Sequence, residues 1–261
     1  MLTSVKRQLR ARVGLWPLLE LRNRAVLGRR VPGLRRFETA EVRRLRADVG
    51  VPTALVVTVI PTFRRPQQLR CAVRSALAQT IQDHRVIVVD DGAGVGPLPA
   101  DPRLVVVSLS HNTGVLGLVR NVGIRTTSSE FIAFLDDDNE WRPDHLETAL
   151  AGLRAGADLV YTAVERRRSD GELVDTLSTD FDRAQLADGP PYVDSNAIVV
   201  RRSPRVQFSR IPRVKATLPK EDWEFVYRMS RSLAVAHLPV PTVRYLINTD
   251  SFYTSWAEQH G

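Results

Sequence analysis

The sequence predicts an α/β fold with a mostly parallel central sheet flanked by helices, preceded by a helical extension at the N-terminus. Short apolar runs alternate with helix-like segments from Pro52 onward. Each run is apolar throughout instead of alternating with polar residues, which is typical of parallel strands covered on both faces. The positive charge, by contrast, is concentrated before residue 50.

The first half of the body shows the alternation most clearly. Four apolar runs of strand length predict buried strands: residues 54–60, 85–89, 104–107 and 131–135. Pro66 suits the first position of a helix, and apolar residues at spacings of three and four follow it up to Leu77. Cys71 lies on or beside this apolar face and is predicted to be a core residue. A glycine-rich stretch, residues 112–123, predicts the start of another helix.

The second half is less regular. We expect a short helix after Pro143, strands at 159–164 and 197–200, and an amphipathic helix at 221–233. The polar stretch 166–190 is rich in Asp, Ser and Gly, and it predicts a loop or lid. Residues 235–248 alternate Pro with apolar residues, which favours edge strands.

The net charge of +8 is not spread evenly. Residues 1–50 hold 13 Lys and Arg against 4 Asp and Glu, whereas the remainder holds 24 and 25. We therefore divide the chain into a basic extension, 1–50, and one domain, 51–261, with halves 51–142 and 143–261. The near-neutral body gives no reason to expect a nucleic-acid partner. Apolar residues at helical spacing in the extension leave two readings open: a helix packed on its own protein, or one in peripheral contact with an anionic membrane.

Several classes of protein are excluded by composition. The single cysteine excludes an intramolecular disulfide and any multi-cysteine metal site. No apolar run approaches the roughly 20 residues that a membrane-spanning helix needs, and Pro17 and Glu20 interrupt any signal-peptide core. We expect a cytoplasmic protein, with the inner face of the membrane as its possible location.

Three candidate motifs directly follow predicted strands. They occupy residues 61–65, 90–92 and 136–139, and ligands of open α/β sheets gather at these carboxyl ends. Asp136, Asp137 and Asp138 place three carboxylates side by side, and a divalent cation such as Mg²⁺ or Mn²⁺ would relieve their repulsion. Taken alone, the motif is equally consistent with an acidic turn that caps a helix.

A dinucleotide site is excluded by spacing. Gly92, Gly94 and Gly96 have the wrong interval for a dinucleotide fingerprint, and the prolines at 97 and 99 leave no helix to receive a pyrophosphate.

Together, five short motifs resemble the family 2 glycosyltransferases, which are nucleotide-sugar enzymes of the GT-A fold. The motifs occur in the family's order: Val57 to Pro66, Val88 to Gly92, Asn112 to Ile124, Phe134 to Asp138, and Glu221-Asp222-Trp223. The resemblance covers about residues 54–250 and leaves the extension outside. It implies a GT-A fold with a Rossmann-like sheet.

The resemblance implies roles for individual residues. The nucleotide contacts would come from these positions: Pro61, Thr62, Phe63, Arg65, Asp91, Arg120, Asp136 and Asp137. Asp138 would bind the metal directly, with Asp136 as the second ligand. Asp222, 84 residues after Asp138, would be the general base. Taken alone, Glu221-Asp222 is better interpreted as acidic residues that favour a first helical turn; its position in the half expected to hold the acceptor favours the base. Relatives often carry a further metal-ligating His, for which this chain offers Asn248 or His237.

The implied activity is a metal-dependent, inverting transfer of a sugar from a nucleotide diphosphate sugar. The donor would be UDP-, GDP- or dTDP-linked, with Mn²⁺ or Mg²⁺ as cofactor. The acceptor hydroxyl would belong to a saccharide, a lipid-linked glycan or a natural product. Two alternatives are a nucleotidyltransferase-type enzyme, although no glycine occurs in 61–65, and a non-catalytic protein that binds through its basic arm.

Overall fold

The computed structural model describes residues 10, 12–214 and 217–247, and it shows helices packed around one mixed sheet. The α-helices are α1 Leu15–Leu27, α2 Val31–Val49, α3 Pro66–Leu77, α4 Leu116–Thr126, α5 His145–Arg154, α6 Arg183–Asp188 and α7 Glu221–Met229. The strands are β1 Thr53–Thr62, β2 His84–Asp90, β3 Leu104–Ser108, β4 Ser128–Phe134, β5 Glu140–Trp141, β6 Leu159–Arg167, β7 Leu173–Leu177, β8 Ile198–Arg201 and β9 Val235–Leu246. Two 3₁₀ turns cover Gly28–Arg30 and Ser195–Ala197.

The sheet confirms the predicted α/β architecture. Its strand order is β3-β2-β1-β4-β8-β6-β9-β5, with β7 paired to β6. The first four strands are parallel, as predicted for the first half. In the second half, β8 runs antiparallel to both β4 and β6, while β9 is parallel to β6. The carboxyl ends of β1, β2 and β4 therefore meet at one edge, beside the start of β8.

Helix α4 packs unusually close to its neighbours, and two glycines permit this. A Cβ on Gly123 would lie 2.5 Å from Val59 Cγ1, and a Cβ on Gly117 would lie 2.2 Å from the Ser209 carbonyl oxygen. Both distances are shorter than van der Waals contact, so a side chain at either position would push the helix away. The same close packing buries Arg120, which projects from α4 with 1% of its surface exposed.

The N-terminal helices pack against the body as an integral part of the fold. Glu38 on α2 is fully buried, and it accepts two hydrogen bonds from Arg210, at 2.6 and 2.7 Å, and one from Arg125 at 2.7 Å. The indole of Trp16 donates to the Gly189 carbonyl at 2.8 Å. Among the described residues, no helix is both long and apolar enough to cross a bilayer.

Three sequence predictions need correction. The stretch 166–190 is not one loop, because it holds β7 and α6. Residues 235–246 form a single strand with β6 on one side and β5 on the other, so they do not form edge strands; their prolines are accommodated where the β6 pairing shifts register. Cys71 is exposed, because it falls beside the buried stripe of α3.

Candidate active site

Two adjoining cavities occupy the edge where β1, β2 and β4 end. The strand-end cavity, about 530 Å³, has these predicted residues in its lining: Pro61, Thr62, Phe63, Arg65, Asp91, Asp136, Asp137 and Asp138. The α7 cavity, about 350 Å³, has Arg120, Asp136 and Asp222 in its lining. The two cavities share four residues: Gly114, Leu116, Asp136 and Tyr245. The structure thus brings together side chains from both halves of the sequence.

Asp137 and Asp138 face the basic side chain of the β1 loop. Thr62 Oγ1 donates to Asp137 at 2.7 Å, and Arg65 Nη1 lies 3.2 Å from Asp137 and 2.6 Å from Asp138. Burial raises the pKa of Asp137 to about 6, with Thr62 and Arg65 opposing the shift. Burial also raises the pKa of Asp138, and the neighbouring Asp136 carboxylate adds to it. These carboxylates therefore lie where an additional cation would be favourable.

Asp136 is held from two directions. The Arg120 guanidinium donates to its carboxylate, and Asn196 contacts it twice, accepting from the Asp136 backbone N–H at 2.6 Å and donating to its side chain at 3.3 Å. Arg120 also donates to Ser195 Oγ at 3.0 Å. Two nitrogens of Arg120, Nε and Nη1, have no hydrogen-bond acceptor within the described structure. Both nitrogens are buried, and Nη1 lies 3.6 Å from Glu221 Oε1.

Asp222 lies in the first turn of α7 and is partly exposed to the α7 cavity. Its Oδ1 accepts from the backbone N–H of Trp223 at 2.8 Å. Burial, together with the negative charges of Glu221 and Asp194, raises the pKa of Asp222 to about 7. A carboxylate with this pKa accepts a proton more readily than an ordinary aspartate does. Trp223 is buried and donates its indole N–H to the Leu186 carbonyl at 2.6 Å, which anchors this turn.

Asp91 organises the loop that opens α4. Its Oδ1 accepts from the backbone N–H and the hydroxyl of Thr113, at 2.8 and 2.9 Å. Its Oδ2 accepts from Gly114 N at 2.9 Å and from Asn112 Nδ2 at 3.2 Å. These four bonds occupy the acceptor sites of one carboxylate. Asp91 therefore positions the cavity wall, and its predicted bond to a nucleotide base stays a prediction.

Sequence reasoning missed three residues at the start of β8. Asp194, Ser195 and Asn196 are buried, and the first two line the α7 cavity. Because β8 runs antiparallel to β4, its first residues lie beside the last residues of β4. The signal in the sequence was the polar run 194–196 directly before an apolar strand, but it becomes informative only once the direction of that strand is known.

Asp136 and Asp138 are the residues of the strand-end cavity that could hold a divalent cation. Asp136 and Asp138 are both partly exposed, and carboxylate oxygens suit Mg²⁺ or Mn²⁺. The described residues contain no group of three or more His, Cys, Asp or Glu side chains placed to hold a metal. Magnesium commonly takes only one or two carboxylates and completes its shell with water and substrate phosphates. Two aspartates therefore suffice for a cation that arrives with a diphosphate.

His237, one of the two predicted additional metal ligands, does not lie at the site. His237 lines neither cavity; its Nδ1 lies 2.9 Å from Asp180 Oδ1 and its ring stacks on Tyr161, at 5.0 Å between centroids. Because β9 runs beside β6, the start of β9 is held at a distance from the end of β4. Asn248 lies outside the described residues.

Comparisons with known proteins identify the family of this chain. The family model described as Glycosyl transferase family 2 matches residues 57–188, about half of the chain. The succinoglycan biosynthesis protein ExoW of Rhizobium meliloti is 33% identical over 121 residues, which are 42% of this chain and 38% of ExoW. The Escherichia coli protein WfgD, named as a UDP-Glc:alpha-D-GlcNAc-diphosphoundecaprenol beta-1,3-glucosyltransferase, is 26% identical over 102 residues, which are 37% of this chain and 40% of WfgD.

Among solved structures, S. aureus TarS 1–349 in complex with UDP-GlcNAc is similar in fold. The TM-score is 0.59 at 17% identity, covering 77% of this chain and 60% of that one. The match confirms the GT-A fold. The chain belongs to glycosyl transferase family 2, and it spans about 40% of the length of the curated relatives described above.

Proposed function

We propose that this chain transfers a sugar from a nucleotide diphosphate sugar to an acceptor hydroxyl, with inversion at the anomeric carbon. The observation that supports this proposal is that Asp136 lines both cavities and that Arg120 contacts both Asp136 and Glu221, on the helix that bears Asp222. In this proposal residues 51–142 bind the donor and residues 143–261 shape the acceptor side. A UDP-sugar is the donor to test first, since TarS is solved with UDP-GlcNAc and the name of WfgD specifies UDP-Glc.

The donor nucleotide would lie in the strand-end cavity. Phe63 presents a ring that is 38% exposed at this cavity and offers a stacking surface for a base. Arg65 lines this cavity and is placed to bind diphosphate oxygens, for which guanidinium groups are well suited, while Arg120 lines the adjoining α7 cavity and holds Asp136. Asp136 and Asp138 would hold Mn²⁺ or Mg²⁺ beside the same diphosphate. When bound, the cation neutralises charge on the departing nucleotide diphosphate.

Asp222 would accept the proton of the acceptor hydroxyl. Its raised pKa suits a general base that operates near neutral pH. Attack on the anomeric carbon from the side of α7, with the nucleotide diphosphate leaving toward β4, forms one glycosidic bond as the donor bond breaks. Such a single displacement inverts the configuration at that carbon.

The α7 cavity, where the acceptor would bind, adjoins a basic groove lined by arginines, and this groove favours an acceptor that carries phosphate. This groove, about 450 Å³, shares Ser209 and Ile211 with the α7 cavity. Its lining contains five arginines, Arg24, Arg35, Arg205, Arg210 and Arg228, and one carboxylate, Glu224, which pairs with Arg24 and Arg228. Arg35 and Arg205 form no hydrogen bond or ion pair through their side chains within the described part of the chain. Since the name of WfgD specifies a diphosphoundecaprenol-linked acceptor, we infer a lipid-linked glycan for this chain.

A thermal-shift panel tests the donor assignment. Unfolding would be followed with UDP-, GDP-, CDP- and dTDP-sugars, each with and without Mn²⁺. The proposal expects one nucleotide to raise the Tm only when Mn²⁺ is present, and it expects Asp138→Asn to abolish that shift. Glu140→Gln, two residues along, serves as a matched control that retains it. A shift of equal size without metal, or in Asp138→Asn, contradicts the metal-dependent site.

A further inference from the structure

In the N-terminal segment, residues 12–49, the carboxylates and the arginines lie mostly on different sides. Three of its four carboxylates are buried against the body. Glu20 accepts from Arg213 at 2.6 Å, Glu38 is paired with Arg210, and Glu41 accepts from the Ser110 backbone at 2.9 Å. These three carboxylates therefore face the body of the protein.

The arginines of this segment point outward. Eight of the ten are exposed and form no hydrogen bond or ion pair among the described residues: Arg12, Arg22, Arg29, Arg30, Arg35, Arg36, Arg43 and Arg46. At about 100° per residue, the four on α2 lie within an arc of about 100°, while Glu38, Val42 and Leu45 occupy the buried side. The fourth carboxylate, Asp48, is exposed but pairs with Arg44 at 3.4 Å. The outer face of α2 is therefore strongly basic.

Helix α1 also carries exposed aliphatic side chains. Leu21 and Val26 are 66% and 63% exposed, and Arg22 lies between them on the helix surface. Leu21 lies on the side of α1 opposite Trp16 and Asn23, which face the body, whereas Val26 lies on the flank of the helix, about 140° around the axis from Leu21. Exposed aliphatic side chains beside arginines on a helix are suited to the boundary between lipid headgroups and acyl chains.

We propose that the outer face of α1, the Gly28–Arg30 turn and α2 binds the surface of an anionic phospholipid membrane. The arginines match lipid phosphates in charge, and Leu21 and Val26 gain by burial at the boundary between headgroups and acyl chains. A nucleic acid would satisfy the arginines but would leave these aliphatic side chains in water. The observations therefore favour a lipid surface.

The same segment reaches the acceptor side of the site. Arg24 and Arg35 line the basic groove, which adjoins the α7 cavity at Ser209 and Ile211. An acceptor held in the membrane through a phosphate linkage would thus meet the groove before the cavity. This last step rests on the proposed function, whereas membrane binding itself does not.

Vesicle sedimentation with the full chain tests the proposal. Vesicles of phosphatidylcholine alone are compared with equimolar phosphatidylcholine and phosphatidylglycerol. We expect binding to the anionic vesicles only, weakened by salt. Arg36→Gln with Arg43→Gln should lower partitioning about 25-fold, at about fivefold per arginine. Leu21→Gln with Val26→Gln should lower it about tenfold.

Matched controls remove the same groups elsewhere on the surface. Arg154→Gln with Arg168→Gln removes two exposed arginines, and Leu173→Gln with Val174→Gln removes two exposed aliphatic side chains; both pairs should bind like the wild type. Absence of binding to anionic vesicles, equal losses in the controls, or tighter binding to a DNA duplex than to vesicles overturns the proposal.

The donor-induced thermal shift separates the two claims. If it is retained while vesicle binding is absent, the membrane proposal alone fails. If it is absent while vesicle binding is retained, the proposed function alone fails.

Discussion

Arg120 Nη1 lies 3.6 Å from Glu221 Oε1, so a buried guanidinium that contacts Asp136 at the end of β4 also reaches the first turn of α7. The two residues are 101 positions apart in the sequence. Through this contact Arg120 interacts electrostatically with both the strand-end carboxylates and Asp222, and its charge opposes the rise in the pKa of Asp222.

Arg120→Lys should lower kcat/KM about 100-fold. Lysine keeps the positive charge but cannot contact Asp136, Ser195 and Glu221 at once, because it lacks the planar fork. Arg125→Lys on the same helix is the matched control and should stay within about twofold of the wild type. Steady-state kinetics at varied donor concentration measure the effect, and activity in Arg120→Lys close to that of Arg125→Lys would contradict it.

The transfer rate should rise with pH and level off above about 7. A general base acts in its deprotonated form, and the pKa of Asp222 is raised to about 7. Below that value the rate should fall about tenfold per pH unit, because the fraction of deprotonated Asp222 falls by that factor. A rate at saturating substrate that does not change between pH 5 and 8 would argue against Asp222 as the base.

Glu221→Gln should move this pH dependence to lower pH. The Glu221 charge raises the pKa of Asp222, so its removal lowers that pKa. The measurement is the midpoint of the pH–rate profile. The control is the same midpoint in Glu224→Gln, because Glu224 is a neighbouring carboxylate that is not among the causes of the shifted pKa of Asp222. An unmoved midpoint in Glu221→Gln would show that another group titrates.

Asp91→Ala should destabilise the protein by about 2 kcal/mol and raise the donor KM about tenfold. The substitution removes the acceptor of Thr113 N and Gly114 N, and this loop lines the strand-end cavity. Chemical denaturation and kinetics measure the two effects. If the main role of Asp91 is instead to bind the nucleotide base, the free energy of unfolding will be unchanged and the preference among nucleotides will alter.

Arg35→Gln combined with Arg205→Gln should raise the KM for an acceptor bearing a diphosphate about 25-fold. Both side chains lie in the basic groove without ion pairs within the described residues. The KM for the same sugar as a neutral alkyl glycoside should be unaffected, which makes it the internal control. Equal effects on both acceptors would mean that the groove does not bind phosphate.

Much of the donor side of the site could be predicted from the sequence, because it depends on which residues directly follow each strand. An apolar strand followed by polar residues places Thr62, Asp91 and Asp136 at one sheet edge whenever the strands are parallel. The structure places all of them there. The predicted strands 54–60, 85–89, 104–107 and 131–135 are confirmed for the same reason.

The acceptor side depends on strand direction, which the sequence does not encode locally. Asn196 reaches Asp136 only because β8 runs antiparallel to β4. The position of β9 inside the sheet depends on its pairing with β6 and β5. The burial of Arg120 likewise depends on the close approach of Ser209 to Gly117.

The most direct test of the account follows donor hydrolysis by NMR, with water as the acceptor, so that no natural acceptor is needed. Using the UDP-sugar and Mn²⁺, we predict that an α-linked donor first releases the β-anomer. We also predict that Asp222→Asn hydrolyses about 1,000-fold more slowly while the nucleotide still raises its Tm. First release of the α-anomer, or hydrolysis at the wild-type rate by Asp222→Asn, would contradict transfer by single displacement with Asp222 as the base.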